Sequence, residues 1–404
     1  MKAVVFHDVG DIRLEDVPSP TIAEPTDAII EVTASAICGT DLHFVRGTVT
    51  GMKPGTILGH EAIGIVADIG REVRNLNVGD RVVVSPTIAC GNCSYCRDGY
   101  FAQCDYANPH GRHAGTAFFG GPKSNGSFDG LQAEMARIPH ANVGLVKLPD
   151  HLTNEQAILL SDVFPSGYFG AEIAEVAPGD VVAVFGCGPV GQFAILSAYL
   201  RGAGRVLAID NVPSRLEIAR AQGAEVINFD DVNPVHALFE LTRGIGPDRV
   251  IDAVGVDAES PHEDADASLL DDEIARIERQ RSQVSPEARV EASQWTAGNA
   301  PLQALLWAVD SIAKSGTLAI LGVYPLRFES FPLGKAYDKN LTINMGTCHH
   351  RRYIPKLVQL VSSGEVDPTV VMPRQETLLS AMEAYEAIDR REKGWLQVEL
   401  VPTN

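Results

Sequence analysis

The sequence predicts an α/β chain in two parts, a strand-rich first part followed by a doubly wound parallel sheet. Three observations predict it. Residues 1–150 read as strands (KAVVFHD, AIIEVTASAIC, EAIGIVADIG, DRVVVSP) broken by turn signals such as Val78-Gly79-Asp80. From about residue 165, short apolar strands (VVAVFG, RVLAID, AEVIN, RVIDAVG, TLAILG) alternate with helical patterns such as SRLEIARAQG. That alternation implies parallel strands with helices on both faces. After about 346, two amphipathic helices (RRYIPKLVQLVSSG and ETLLSAMEAYEAID) and a final strand, WLQVEL, complete the chain.

With 404 residues, 45% of them hydrophobic and 21% charged, the chain has material for two domains with full cores. A formal charge of −19 excludes nucleic acid and anionic membrane as partners, since both need an excess of Lys and Arg. No apolar run approaches the roughly 18–20 residues of a membrane span. The stretch MKAVVFHDVGDIRLEDV enters a strand pattern without a secretory h-region, so a cytoplasmic protein is expected. Residues 257–300 interrupt the alternation with eleven acidic and four basic residues. They read as a surface insertion with one exposed helix near 269–283. It is either a tolerated acidic excursion or a cover for a cofactor or a subunit interface.

Four of the seven cysteines fall in CGNCSYCRDGYFAQC, placing Cys90, Cys93, Cys96 and Cys104 in a C-x2-C-x2-C-x7-C array. Clustered thiols in an intracellular chain indicate a metal rather than disulfides. Four thiolates close a tetrahedral zinc site and leave no open position, so the site is structural. An iron–sulfur cluster accepts the same donors, but no electron-transfer partner site accompanies them.

VVAVFGCGPVGQFAILSAYLRGAGRVLAID carries Gly186-x-Gly188-x-x-Gly191 after a strand and at the start of a helix, with Asp210 nineteen residues beyond Gly191. In that context the motif predicts a dinucleotide loop that includes Pro189 and Val190. Gly186 allows the tight turn, Gly188 lets the backbone approach the pyrophosphate, and Gly191 lets helix and strand pack closely. Helix N–H groups then face the phosphates. Asp210 at the strand end suits a ribose diol and repels a 2′-phosphate, so NAD is expected over NADP. Arg215 softens that preference.

LSDVFPSGYFG places Asp162 in an apolar stretch, where an unpaired carboxylate costs several kcal/mol or more. Cys38 in ICGTDLH and His60 in GHEAIG, taken singly, read as core residues. With Asp162 they offer one thiolate, one imidazole and one carboxylate, the donors of an open three-ligand zinc site.

Both cysteine-bearing motifs, the glycine loop and the order of elements resemble the zinc-dependent medium-chain alcohol dehydrogenases over nearly the whole chain. LSDVFPSGYFGA is similar to the glutathione-independent formaldehyde dehydrogenase and formaldehyde dismutase branch, in which the third zinc ligand is Asp. The resemblance implies a GroES-like catalytic domain over 1–162 with a structural zinc lobe at 90–104. A Rossmann NAD-binding domain follows over 163–346, and 347–404 return to the catalytic domain. It implies two zinc ions per chain, with Cys38, His60 and Asp162 on the catalytic one. A carboxylate donates less charge than a second thiolate would, which makes the metal a harder Lewis acid. Asp41 matches the carboxylate that orients the ligand His. Glu61 matches the acid beside the zinc, Thr40 the hydroxyl that passes on the alcohol proton, and His43 the base that receives it. Ser166, Val254 and Val323 match positions near the nicotinamide.

Gly39 stands where some relatives place an Arg on the pyrophosphate, and the insertion has no counterpart in minimal relatives. His349 and His350 read as cap or interface residues, Cys187 as packed, and Cys348 as a free thiol. Phe44, Phe118, Phe119 and Phe164 suggest either an apolar substrate lining or simply core. The expected activity is hydride transfer between a small alcohol or aldehyde hydrate and NAD. Its rivals are an aldehyde dismutase that never releases NAD and, remotely, a non-catalytic NAD-binding sensor. A homo-oligomer is expected, a tetramer before a dimer.

Overall fold

The computed structural model describes residues 1–261, 272, 275, 276, 279, 295, 298–325, 328, 330–372 and 374–402. Strands covered on both faces need apolar residues at nearly every position, and the second half of the chain supplies them. Six strands form one sheet in the order Glu225–Asn228, Arg205–Asp210, Val181–Phe185, Arg249–Asp252, Thr317–Ile320, Thr342–Met345. Every pairing in it is parallel. In chain order this is 3-2-1-4-5-6, the arrangement of dinucleotide-binding sheets.

Side chains alternate between its faces. Val182, Val184, Val206, Ala208 and Ile251 pack with Ala171, Ala194 and Ile195 of the helices Val163–Ile173 and Pro189–Leu200. Ala183, Phe185, Leu207, Ile209 and Val250 pack with Leu305, Ala308 and Val309 of the helix Gln303–Ser311.

The strand-rich part is built around Ala28–Ile37. This strand pairs antiparallel with Glu61–Ile69, Met135–Ile138 and Val398–Val401 in a seven-stranded sheet. Its register against Glu61–Ile69 shifts between Ile29 and Ile30 and again between Val32 and Ala34. Such bulges bend a strand and re-aim the residues at its exit. A smaller sheet joins Asp11–Asp16, Lys2–Asp8 and Thr56–Ile57. The helix Gly39–Arg46 follows the central strand and stops at Gly47, whose φ of 74° is left-handed. Its last residue, Arg46, is buried against Asp389 at 2.7 Å.

The chain divides into two compact units. One holds Met1–Pro165, Val284–Thr296 and Thr347–Asn404; the other holds Ser166–Gln283 and Ala297–Gly346. In the first, Trp295 packs with Phe6, Phe44 and Tyr385. Of the expected helix near 269–283, Asp272, Ala275, Arg276 and Arg279 are helical, and the rest of it lies outside the described residues. The expected helix from Glu376 is corrected. Arg374–Thr377 is a strand paired with Val398–Val401, a 3-10 turn covers Leu378–Ser380, and the helix runs Ala381–Asp389. Pairing at the sheet edge outweighs the local helical pattern there.

Glu399, on the strand Val398–Val401, is 0% exposed, and neither carboxylate oxygen has a hydrogen bond among the described residues. Burial, with the charge of Glu155, pushes its pKa from an ordinary 4.5 up to about 7. The folded state therefore holds a proton that the unfolded chain has released between those two values. The contribution of Glu399 to stability is largest below about pH 4.5 and falls as pH rises toward 7. After allowance for solvent screening this amounts to roughly 1–2 kcal/mol. Glu399→Gln should remove that slope and raise the thermal midpoint above pH 7, read by melting curves across the range. An unchanged slope would assign it to other groups.

Candidate metal centre and dinucleotide loop

Cys38 leaves the central strand in extended conformation (φ −103°, ψ 157°) and caps the helix Gly39–Arg46. Asp41, in the first turn of that helix, accepts from the Cys38 N–H at 3.0 Å through Oδ2. Its Oδ1 lies 3.3 Å from His60 Nδ1. His60 precedes the strand Glu61–Ile69, and Asp162 precedes the helix Val163–Ile173. The strand-to-helix passage at Cys38 and the left-handed Gly59 before His60 bring together residues far apart in sequence. The donor atoms of Cys38, His60, Glu61 and Asp162, all buried, lie within 4.8 Å of one another.

The spacing suits zinc. Ligand atoms 2.0–2.3 Å from a tetrahedral ion stand about 3.3–3.8 Å apart. Asp162 Oδ2 is 3.4 Å from His60 Nε2 and 3.7 Å from Cys38 Sγ. The electrostatics also call for a cation. Burial pushes the Cys38 thiol up to about 12, against the pull of His60. Burial, then Asp162, holds Glu61 well above the carboxylate range. Burial alone would lower His60, but Asp41 and Cys38 outweigh it and hold the imidazole well above its usual range. Burial would raise Asp162, but His350 and His60 hold it below the carboxylate range. Without a dication the four groups share protons. A dication replaces those protons, so metal binding here releases them.

A polar chain fixes Asp41 from behind. Gln132, fully buried, donates to Asp41 Oδ2 at 3.2 Å and to the Ala36 carbonyl at 3.0 Å, and accepts from the Tyr385 hydroxyl at 2.8 Å. Gln132 reaches this place because Gly59 (φ +91°) has no side chain; a Cβ there would stand 2.4 Å from Gln132 Cγ. Neither Gln132 nor Tyr385 carries a sequence signal, since each acts only through contacts between distant segments. His350 also gives no sequence signal as a site residue, yet it meets Asp162 Oδ1 through Nε2 at 2.5 Å. The reading of His349 and His350 as cap or interface residues is corrected for His350, which is 2% exposed inside the protein; His349 stands at the N-cap position of the helix His350–Ser362 without a side-chain cap bond.

Thr40 and His43 stand three residues apart on the helix Gly39–Arg46 and so share a face, Thr40 half-buried and His43 buried. Of the four aromatics expected in a pocket lining or the core, Phe44, Phe119 and Phe164 are core residues at 3%, 1% and 0% exposure. Phe118 is half-buried, with its ring 4.6 Å from that of His60.

Cys90, Cys93, Cys96 and Cys104 likewise place their sulfurs within 4.8 Å of one another, and all four are free thiols. Backbone N–H groups donate to three of the sulfurs: Cys90 to Cys104 at 3.2 Å, Asn92 to Cys90 at 3.4 Å, and Cys96 to Cys93 at 3.5 Å. Four sulfurs turned inward with N–H support fit a closed zinc site.

In the other unit, Gly186 has φ +86° and leads into the helix Pro189–Leu200, capped by Gly188. A Cβ on Gly191 would stand 1.9 Å from the Gly186 carbonyl oxygen, whereas one on Gly188 would meet nothing within 4 Å. Gly191 thus lets the helix pack close against the strand end, and Gly188 leaves a bare backbone approach for a phosphate. A Cβ on Gly186 would come within 2.7 Å of Val254, across the point where the strand order reverses. Asp210 accepts from Cys187 N through Oδ2 and from Asn211 N and Val212 N through Oδ1, at 2.7–2.8 Å. Arg215 Nη1 lies 3.9 Å away. Three of a carboxylate's roughly four acceptor positions are taken, leaving room for one strong ribose bond rather than two. The Val323 carbonyl accepts from Val256 N, and Ser166 sits half-buried in the helix Val163–Ile173. No helix among the described residues is long and apolar enough to cross a membrane.

Comparison with known proteins gives the same frame. Residues 24–150 match the alcohol dehydrogenase GroES-like domain, and residues 189–262 match the zinc-binding dehydrogenase family. The chain is 36% identical, over the full length of both proteins, to a zinc-type alcohol dehydrogenase-like protein of Bacillus subtilis. It is 37% identical over 64% of its length, and 66% of the relative's, to a glutathione-independent formaldehyde dehydrogenase of Pseudomonas aeruginosa. The solved structure of an alcohol dehydrogenase from Thermus sp. ATN1 matches with a TM-score of 0.79 at 33% identity, covering all of both chains.

Gln132→Leu should cut retention of the metal at Cys38, His60 and Asp162 about tenfold in a chelator titration, because Asp41 loses a donor. The metal at the four cysteines should stay. Equal loss from both sites would trace the effect to general unfolding.

Proposed function

The chain belongs to the zinc-type alcohol dehydrogenase family, and from that premise we propose that it transfers hydride between NAD and a small alcohol or aldehyde hydrate, with hydrated formaldehyde as a candidate substrate. The carrying observation is Asp162 Oδ2, which stands at zinc-ligand spacing from both His60 and Cys38. Cys38, His60 and Asp162 would hold the catalytic zinc, and Cys90, Cys93, Cys96 and Cys104 the structural one. When bound, the catalytic zinc supplies a Lewis acid that polarises the substrate oxygen and lowers the pKa of its proton. NAD supplies the hydride acceptor.

The chain's own residues do the rest. Asp41 orients His60, and Gln132 with Tyr385 fixes Asp41. Thr40 receives the substrate proton, and His43, on the same helix face, accepts it further along. Glu61 stays beside the ligands as a carboxyl able to exchange with water. Phe118, against the His60 ring, excludes water from that side. Gly186, Gly188, Pro189, Val190 and Gly191 seat the pyrophosphate, Asp210 takes one ribose hydroxyl, and Arg215 lies beside it. Ser166, Val254 and Val323 flank the nicotinamide.

In this reading residues 1–162 and 347–404 carry catalysis, and 163–346 carry the cofactor. The reduced cysteines fit a cytoplasmic protein, and the family resemblance favours a homotetramer. The dismutase reading uses the same residues and differs only in never releasing NAD.

Asp162→Ala should abolish turnover and lower zinc from about two toward about one per chain, measured by elemental analysis. Unchanged zinc and activity would sink the ligand assignment. NAD measured after exhaustive dialysis separates the two reactions. Near-stoichiometric cofactor indicates dismutation, and its loss indicates an ordinary dehydrogenase.

A further inference from the structure

The helix His350–Ser362 opens on two adjacent histidines that face different neighbours. His349 accepts the Ala102 N–H at Nδ1, 3.3 Å away, and its ring meets Tyr100 edge-on with centroids 5.4 Å apart. Ala102 lies in the turn Phe101–Gln103, immediately before Cys104. His350, one residue on, meets Asp162 Oδ1 through Nε2. An ionised carboxylate only accepts, so His350 Nε2 carries the hydrogen. Asp162 is thereby divided: Oδ1 is held by His350, and Oδ2 faces Cys38 Sγ and His60 Nε2. A carboxylate with one oxygen held in this way presents the other to a metal. All of these residues belong to one compact unit.

We propose that His349 and His350 form a joint that holds Asp162 as a one-oxygen metal ligand and ties its position to the cysteine lobe. This rests on the reading of Asp162 as a zinc ligand. The role of His350 is positioning, since its contact is with the ligand and not with substrate. Without its hydrogen bond, Asp162 is free to swing and bind through both oxygens, which raises the coordination number of the metal. Without His349, the start of the helix loses its tether to the turn before Cys104, and His350 loses part of its aim.

The test uses the full-length protein with Co2+ in the catalytic site and zinc left in the cysteine lobe. His350→Ala should weaken and shift the cobalt d–d bands toward a five-coordinate spectrum. It should also make zinc about 10–100-fold easier to remove with dipicolinate. His350→Gln, whose side-chain amide donates from nearly the same place, should restore both. His349→Ala should give a smaller spectral shift in the same direction while the lobe keeps its metal. A wild-type spectrum and wild-type retention in either alanine variant would overturn the proposal. Should His350→Ala not fold, His350→Asn takes its place, because its amide stops short of Asp162 Oδ1. Asp162→Ala serves as the control. If it loses the metal while His350→Ala behaves as wild type, only the joint fails; if it keeps the metal, the ligand reading fails first.

Discussion

Burying two carboxyls, a thiol and an imidazole within 4.8 Å of one another is the constraint on which the rest of the strand-rich unit depends. All four are buried, so each must be neutralised, paired or joined to a cation. The set is a compromise: burial pushes Cys38 and Glu61 toward their protonated forms, while neighbouring charges hold His60 and Asp162 toward their charged ones. Zinc resolves it, because one dication balances the thiolate and a carboxylate together.

The architecture around the cluster follows from the need to hold it still. The central strand carries Cys38 at its exit, and its neighbour begins at Glu61, directly after His60. Asp41 is held by a backbone N–H, by Gln132 and by its approach to His60, and so has little rotational freedom. The buried pair Arg46–Asp389 and the bond from Tyr385 to Gln132 pin the helix Ala381–Asp389 against the same region. The parallel sheet meets a different demand. It needs one open backbone stretch at the strand-order reversal, and glycines provide it where any side chain would collide.

Much of this was legible in the sequence because its chemistry is written locally. The cysteine array spans fifteen residues, the glycine loop six, and strand–helix alternation is a short-range pattern. Asp162 was legible for the opposite reason: a carboxylate amid apolar residues is out of place unless something pairs it. Gln132, Tyr385 and His350 were not legible, since a glutamine, a tyrosine or a histidine in an ordinary polar or amphipathic context gives no sign of its distant partner. The same limit left four phenylalanines open between pocket lining and core; three are core and one packs on His60. It also misread Glu376 and Thr377, whose local pattern was helical while the partner strand comes some twenty residues later.

The discontinuity of the strand-rich unit has a consequence for how the protein is made. The parallel-sheet strands come from one intermediate stretch of chain, so they can pair while synthesis continues. The strand Ala28–Ile37, by contrast, waits for Val398–Val401, and Asp162 waits for His350. The cysteines at 90, 93, 96 and 104 leave the ribosome within fifteen residues of one another, whereas Asp162 lacks its partner until residue 350 is made. A chain cut short before His350 therefore carries the whole cysteine array beside an unsupported Asp162.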